Sequence, residues 1–268
     1  MAVLLSLASL FKRQTKISGK QDHKLKDIAY LLCRGGWPAA VTEQDKKLSL
    51  RSAIDYTESL VTTDITNVDE IRRNPARARA ILKACARNVS TSAPITTIQK
   101  DIEANQTIAD VRTVDSYLNA LAKLFVIDDT EAWCPQLRSK TTIRTKSTRH
   151  FIDPSIAAAA LNATAADLMN DLNTFGLLFE NLAIRDLKVY MQALGGQVFT
   201  YRDKDGLEAD AVVHLNNGHW GVIEIKLGGE TLINEGAKVL QMLVNKIDAQ
   251  KMKTPSFLMV LTAADTFA

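Results

Sequence analysis

Apolar residues along this chain recur at two periods, and the change of period divides it. Up to about residue 193 they return every three or four positions, as on one face of a helix; beyond that, short alternating or continuous apolar runs appear, as in strands. LKDIAYLLC (25–33) has helical spacing, and Gly35-Gly36 ends it before Trp37-Pro38. Residues 41–93 read as mostly helical, with Asp69-Glu70 at a helix start followed by Arg77, Arg79, Lys83 and Arg87, an order that suits the helix dipole. Residues 93–133 parse as short helix, helix, turn, helix and an apolar strand at 124–127. Thr113 is placed as a cap for a helix whose Val114, Tyr117, Leu118 and Leu121 form one stripe. Helix-turn-helix followed by a β-wing is the winged-helix plan. Its recognition helix, 111–123, would present Arg112, Asp115, Ser116, Asn119 and Lys123, and two acids among five is poor for reading a DNA groove. An alanine-rich helical stretch (155–169) leads to the C-terminal part.

There the expected order is helix (174–193), strand (196–202), strand (208–215), strand (219–227), helix (232–248) and strand (256–262), the last apolar on both faces and expected to be buried. Asn216-Asn217-Gly218 is a hairpin signal, because Asn and Gly tolerate the positive φ that tight turns need. A turn centred on Asn217 sets Asp210 opposite Glu224 on adjacent strands, about 5 Å apart at Cβ, with Lys226 two residues on. Paired carboxylates are hard oxygen ligands suited to Mg²⁺ (or Mn²⁺), and a lysine beside them can orient a water and offset phosphoryl charge. The same residues also suit a plain surface hairpin with a Glu–Lys pair. Glu208 shares a face with Asp210, Lys238 and Gln241 lie one turn apart on the following helix, and His214 and His219 flank the turn. Two histidines without a third ligand make no zinc site.

The spacing Asp-x13-Glu-x-Lys resembles the PD-(D/E)xK nuclease superfamily, with Ala209 where its name has proline. G-x-LFEN (176–181), Y-R-D-K-D-G-x-E-x-D (201–210) and IEIK (223–226) together resemble a bacterial and archaeal family of AAA+-type ATPases with a C-terminal domain of unknown function. The resemblance runs from about Arg34 onward. It implies an α+β fold: a helical winged-helix-like region, then an αβββαβ restriction-endonuclease-like domain. It also implies a Mg²⁺ or Mn²⁺ site of Asp210, Glu224 and the Ile225 carbonyl, with Lys226 at the attacking water and Glu180 completing the site from its helix. The implied domains are 1–40, a remnant of an ATPase region or an arm; 41–160, winged-helix-like; and 161–268, nuclease-like.

Composition is that of a globular protein, 46% hydrophobic and 24% charged, and a net charge of +3 does not by itself argue for nucleic acid. Its distribution does: residues 132–152 hold no acid, while Arg138, Lys140, Arg144, Lys146 and Arg149 alternate with Ser and Thr, a run suited to phosphate contact or to a flexible basic loop. Cys33, Cys85 and Cys134 lack CxxC pairing, which points to a reducing cytoplasm. The apolar start has no basic n-region and is too short to span a bilayer, so no membrane role is expected. No G-x4-G-K-[ST] occurs, which excludes an autonomous P-loop ATPase. The chain is expected to be a truncated product or a fragment, its ATPase partner region lying elsewhere. Two functions stay open: a metal-dependent nuclease acting on DNA, and a non-catalytic DNA- or protein-binding module of an ATPase-linked system.

Overall fold

A computed structural model describes residues 7–13, 22–69, 71–103, 110–134, 146–247 and 253–263. They form two compact units, one helical (Lys26–Asp129 with Thr148–Leu182) and one built on a sheet (Met1–Leu25, Thr130–Ser147 and Ala183–Ala268). The boundary expected at 160/161 thus falls between Leu182 and Ala183, and the first forty residues are divided between the units. Helix α1 (Leu7–Phe11) belongs to the sheet unit, where Phe11 meets the Phe257 ring edge-on at 5.3 Å.

The helical unit begins with α2 (Leu25–Arg34), whose Ile28, Ala29, Leu32 and Cys33 are buried, and α3 (Pro38–Thr42). Gly35 ends α2 at φ 77°, a left-handed position that glycine takes without a Cβ clash. Helix α4 (Lys46–Ser59), capped by Asp45, runs on into a π-helical stretch, Leu60–Asp64, and then α5 (Ile65–Asn67). Asp69 lies before, not at, the next helix: α6 (Pro75–Arg87) is capped by the Asn74 side chain and has proline in its first turn, where the missing N–H costs nothing.

Helices α7 (Ile95–Glu103) and α8 (Val111–Lys123) follow, and Val114, Tyr117, Leu118 and Leu121 are buried as the stripe predicted. Asp110, not Thr113, is the N-cap residue of α8. The strand expected at 124–127 does not form. Phe125 is 77% exposed at φ 54°, a conformation that breaks a strand, and pairing is reduced to isolated bridges such as Ile127 to Phe151. Helix α9 (Pro154–Leu161) is apolar all round and packs against α4 and α6, as a central buried helix should. Its capping residue Asp153 accepts from Ser155 N and Gly36 N, both at 2.9 Å. Helix α10 (Ala165–Asn170) starts with a Thr164–Asp167 capping box and precedes α11 (Leu172–Ala193).

After α11 come β1 (Gly196–Arg202), β2 (Glu208–Leu215), β3 (Trp220–Lys226), α12 (Glu230–Lys246) and β4 (Leu258–Thr262), the αβββαβ order expected. The sheet order is β1-β2-β3-β4; the first two pairings are antiparallel, and β3 pairs parallel with β4 through the α12 crossover. Segment 131–133 adds to the outer side of β1, with Trp133 N donating to Thr200 O at 2.6 Å. Trp133 then stacks obliquely on Trp220 at 4.8 Å, over Val212, Val222, Leu240 and Leu243. Each of those buried aliphatic side chains contributes about 1.5–3 kcal/mol. Strand β4 is not buried on both faces: it ends the sheet order, and Leu258 is 41% exposed. Tyr190, near the end of α11, is also exposed.

Candidate functional site

The register of β2 against β3 pairs Ala211 with Ile223 and His214 with Trp220, so each pair is equidistant from Asn217. Gly218 closes the turn at φ 81°, its N–H bonded to Leu215 O at 2.9 Å. The next pair in that register is Asp210 and Glu224. Instead of another backbone rung, the Asp210 side chain reaches across, and its Oδ2 accepts from Ile225 N at 2.7 Å. Lys226 donates to both acids, 3.2 Å to Asp210 Oδ2 and 2.8 Å to Glu224 Oε2. The alternation of β3 puts Trp220, Val222, Glu224 and Lys226 on the face that α12 covers. Gly236 of α12 makes that approach possible, since a Cβ there would stand 3.3 Å from the Glu224 Cβ and 3.4 Å from Val260 Cγ2.

Glu224 is 3% exposed, whereas Asp210 and Lys226 keep about a fifth to a quarter of their side chains open. Burial, reinforced by the Asp210 carboxylate, pushes the Glu224 carboxyl up to about 7, against the opposing pull of Lys226. For Lys226 burial disfavours the ammonium, but the two acids outweigh it and the net shift is upward. A buried carboxyl that titrates near neutrality, with a second acid and an ammonium in contact, is an arrangement able to trade protons or to gain from an added cation.

The neighbours expected to support this cluster do other things. Glu208 forms an exposed pair with Arg202 at 3.1 Å. Asp203, from the Y-R-D-K-D-G stretch, accepts from Asp205 N and Leu207 N at 2.8 and 3.0 Å, and Lys246 of α12 donates to Asp203 and Asp205 at 2.7 and 3.0 Å; this ties the β1–β2 turn to the helix. Lys238 and Gln241 are exposed on α12. His214 is half-buried, its ring 6.4 Å from that of Trp133, and burial lowers its pKa; His219 is exposed. Among the described residues no group of three or more His, Cys, Asp or Glu side chains gathers as a metal centre.

Glu180 belongs to the helical unit, where its carboxylate lies 3.9 Å from His150 Nε2. Its neighbour in LFEN, Asn181, is fully buried and bonds both Phe151 N and Phe151 O at 2.7 Å, acting as a one-residue strand partner. Sequence reading passed over Asn181, although an amide next to an apolar helical stripe is a sign of a buried polar anchor. Of the basic run, Arg138, Lys140 and Arg144 lie outside the described residues, as does the turn at 104–109. Lys146 is exposed; Arg149 turns inward to Asp129 at 3.3 Å with only 13% of its side chain open, which takes it out of a backbone-tracking surface. On α8, Ser116 accepts from Arg73 and Lys123 lies 3.7 Å from Asp69, leaving Arg112, Asp115 and Asn119 outermost.

The fold and site define a mixed α+β protein: a helical unit, and a four-stranded mixed sheet that presents an acid–acid–lysine cluster. The chain belongs to the family of the domain of unknown function DUF8612, whose model matches residues 25–167, more than half of its length. A second model, the domain of unknown function DUF4143, matches residues 175–266 and so takes in α11, the sheet and the whole cluster. No curated protein and no solved structure matches the chain. No helix among the described residues is long and apolar enough to cross a membrane.

Proposed function

We propose that the sheet unit is a nuclease-like module acting on DNA phosphodiesters with Mg²⁺ or Mn²⁺ as cofactor. One observation carries the reading. Asp210 and Glu224, from adjacent strands, converge on Lys226, and one of the two acids is buried with its pKa near neutrality. The donor set fits a hard divalent cation. Asp210 Oδ1 has no partner among the described residues, and Mg²⁺ takes one or two protein carboxylates while keeping several waters. Asp210 and Glu224, with the Ile225 carbonyl, would hold the ion, which when bound supplies Lewis acidity at a phosphate oxygen. Lys226 would turn from the acids towards the attacking water and the phosphoryl charge. Glu180, the fourth residue expected from the sequence, belongs to the helical unit beside His150, so the reading rests on Asp210, Glu224 and Lys226. The resemblance to AAA+-linked proteins supports an ATPase region or subunit as partner. The Ser/Thr-spaced basic run supports DNA as the substrate, and three widely spaced cysteines without a CxxC motif support a cytoplasmic setting.

One observation favours a second reading, a non-catalytic DNA- or protein-binding module. Lys226 already bridges both acids, so one of their two charges is met from within. Nicking of supercoiled plasmid in Mn²⁺ and in Mg²⁺ separates the two. The nuclease reading expects cleavage by wild type that Lys226→Ala abolishes and Asp210→Ala reduces at least about a hundredfold. Equal inertness of wild type and Lys226→Ala on plasmid, linear duplex and single strand, with no calorimetric Mn²⁺ binding, gives the protein to the second reading. Glu180→Gln has its own outcome: cleavage at the wild-type rate would leave Glu180 as no more than the companion of His150.

A further inference from the structure

The basic face of α6 has no place in the reading above, and it lines a cavity of about 510 Å³ in the helical unit. Arg79, Lys83 and Arg87 stand at i, i+4 and i+8, so they form one row along the cavity with steps of about 6 Å. The outer two are matched across the gap: Arg79 bonds Glu58 of α4, and Arg87 lies 3.6 Å from Asp101 of α7. Lys83, between them, has no ion pair or hydrogen bond among the described residues. The floor is small and apolar, with Ala80 on α6 facing Ala159 and Ala160 of α9, and Ala76 lies at the exposed rim. The opposite wall holds Ile54, which is 55% exposed, and Val61. Val61 comes from the π-helical stretch Leu60–Asp64, and inserted turns of that kind occur frequently at functional sites.

Size, charge and lining together select a ligand class. Small-molecule sites are mostly apolar clefts of about 300–1,000 Å³ with a few placed polar groups. A nucleic-acid backbone carries a charge at every step, about one per 1.7 Å of duplex, and would meet Glu58 and Asp101 as well as the cations. A ligand with one charged head meets only Lys83. We infer that this cavity binds a small amphiphilic anion, a carboxylate- or phosphate-headed molecule with its head at Lys83 and its apolar body on Ala76, Ala80 and Ile54. The inference is independent of the nuclease reading, since it involves neither the sheet residues nor a metal.

Calorimetry on the whole chain, at low salt and without divalent ions, tests it with 1-naphthoate and 1-naphthyl phosphate as probes. Neutral 1-naphthol and inorganic phosphate are the controls. The two naphthyl anions are expected to bind one per chain, and their ranking tells carboxylate from phosphate preference. 1-Naphthol should bind about fivefold to tenfold more weakly, and phosphate alone should give no detectable heat. Lys83→Ala should bring both anions down to the affinity of 1-naphthol. Ala80→Phe should block all three aromatic probes, and Ala76→Leu, on the more exposed rim, provides the same test should Ala80→Phe lower the melting temperature. The inference is overturned if neither anion binds at millimolar concentration, if 1-naphthol binds as tightly as the anions, or if all three variants bind like wild type. It is also overturned if a short DNA duplex displaces 1-naphthyl phosphate and loses its own affinity with Lys83→Ala, because the row would then be a backbone contact.

Discussion

Each unit contains a partly buried knot of charge, and the two are set to opposite conditions. In the helical unit Arg73, with 2% of its side chain exposed, donates to both Asp69 oxygens at 2.5 and 2.9 Å, to Ile65 O at 2.9 Å and to Ser116 O at 3.2 Å. The Arg73 hydrogen bonds, countered only in part by desolvation, hold the Asp69 carboxyl down at about 2. The Tyr117 hydroxyl completes the knot by accepting from Asn74 N at 2.8 Å. Buried Arg73 is met there by one carboxylate and neutral acceptors, and the exposed Lys123 lies 3.7 Å from the same acid, so no negative charge is left over. In the sheet unit one ammonium faces two carboxylates, and the surplus appears as a Glu224 carboxyl near 7. A knot that only holds helices together needs no surplus. One that leaves an acid undecided at neutral pH has a reason to sit beside a changing charge.

The largest expected effect tests the balanced knot. Arg73→Ala leaves a carboxylate and two carbonyls facing an emptied, buried space and should cost about 3 kcal/mol or more, read from urea unfolding. A loss under about 1 kcal/mol would show that the knot does not hold α8 in place.

Next is the pH dependence of stability. The folded-state pKa of Glu224 lies above its unfolded value, so the native state binds the extra proton between about pH 4.5 and 7, and stability falls as pH rises through that window, by up to about 1.4 kcal/mol per pH unit. Asp69 has the opposite sign: its lowered pKa stabilises the fold above about pH 4 and that contribution is lost as pH falls towards 2. Glu224→Gln should flatten the upper window and leave the lower one, and Asp69→Asn should do the reverse. Unfolding curves at pH 3, 5 and 8 read both, and a Glu224→Gln variant with the wild-type slope between pH 5 and 8 would remove the contrast.

A smaller effect is expected from ligand linkage. Mg²⁺ at 10 mM and pH 8 should raise the melting free energy by about 1–2 kcal/mol through mass action, and Asp210→Ala should cancel the rise. The smallest concerns the lining of the sheet cluster. Gly236→Ala should leave overall stability within about 0.5 kcal/mol, because the helix-propensity gain of roughly 1 kcal/mol offsets a tight Cβ contact. Its readout is the Glu224 titration by NMR, which should move as the helix presses on that side chain.

Much of the sheet unit was legible because local signals there agree. The Asn216-Asn217-Gly218 turn fixes the register, and the register fixes Asp210 opposite Glu224; strand and helix limits fall within about two residues of those expected. The attachment of 130–134 to this unit was not legible, since it rests on Trp133 finding Trp220 across a large gap in sequence. In the helical unit the stripes were visible but their joints were not. Asp69 and Arg73 show an i, i+4 spacing that reads as a helix-surface pair, whereas they lie between helices and close on Ser116, far along the chain. Phe125 carries a strong strand propensity that the left-handed backbone at the end of α8 overrides. Glu180 and Asn181 were weighed by charge, so the carboxylate drew notice over the buried amide.

Asp210 holds both of its described bonds on the same oxygen, one of them to the peptide N–H of β3. That atom is in effect a rung of the sheet, and only its twin is free to greet anything arriving from solvent. A newcomer must therefore approach from one side, in single-point contact, at a height above the strands set by the backbone itself. Swapping in asparagine would do more than erase a charge: with its amide oxygen kept on the rung, it would aim an N–H₂ outward, and the outer position would donate where the carboxylate accepts.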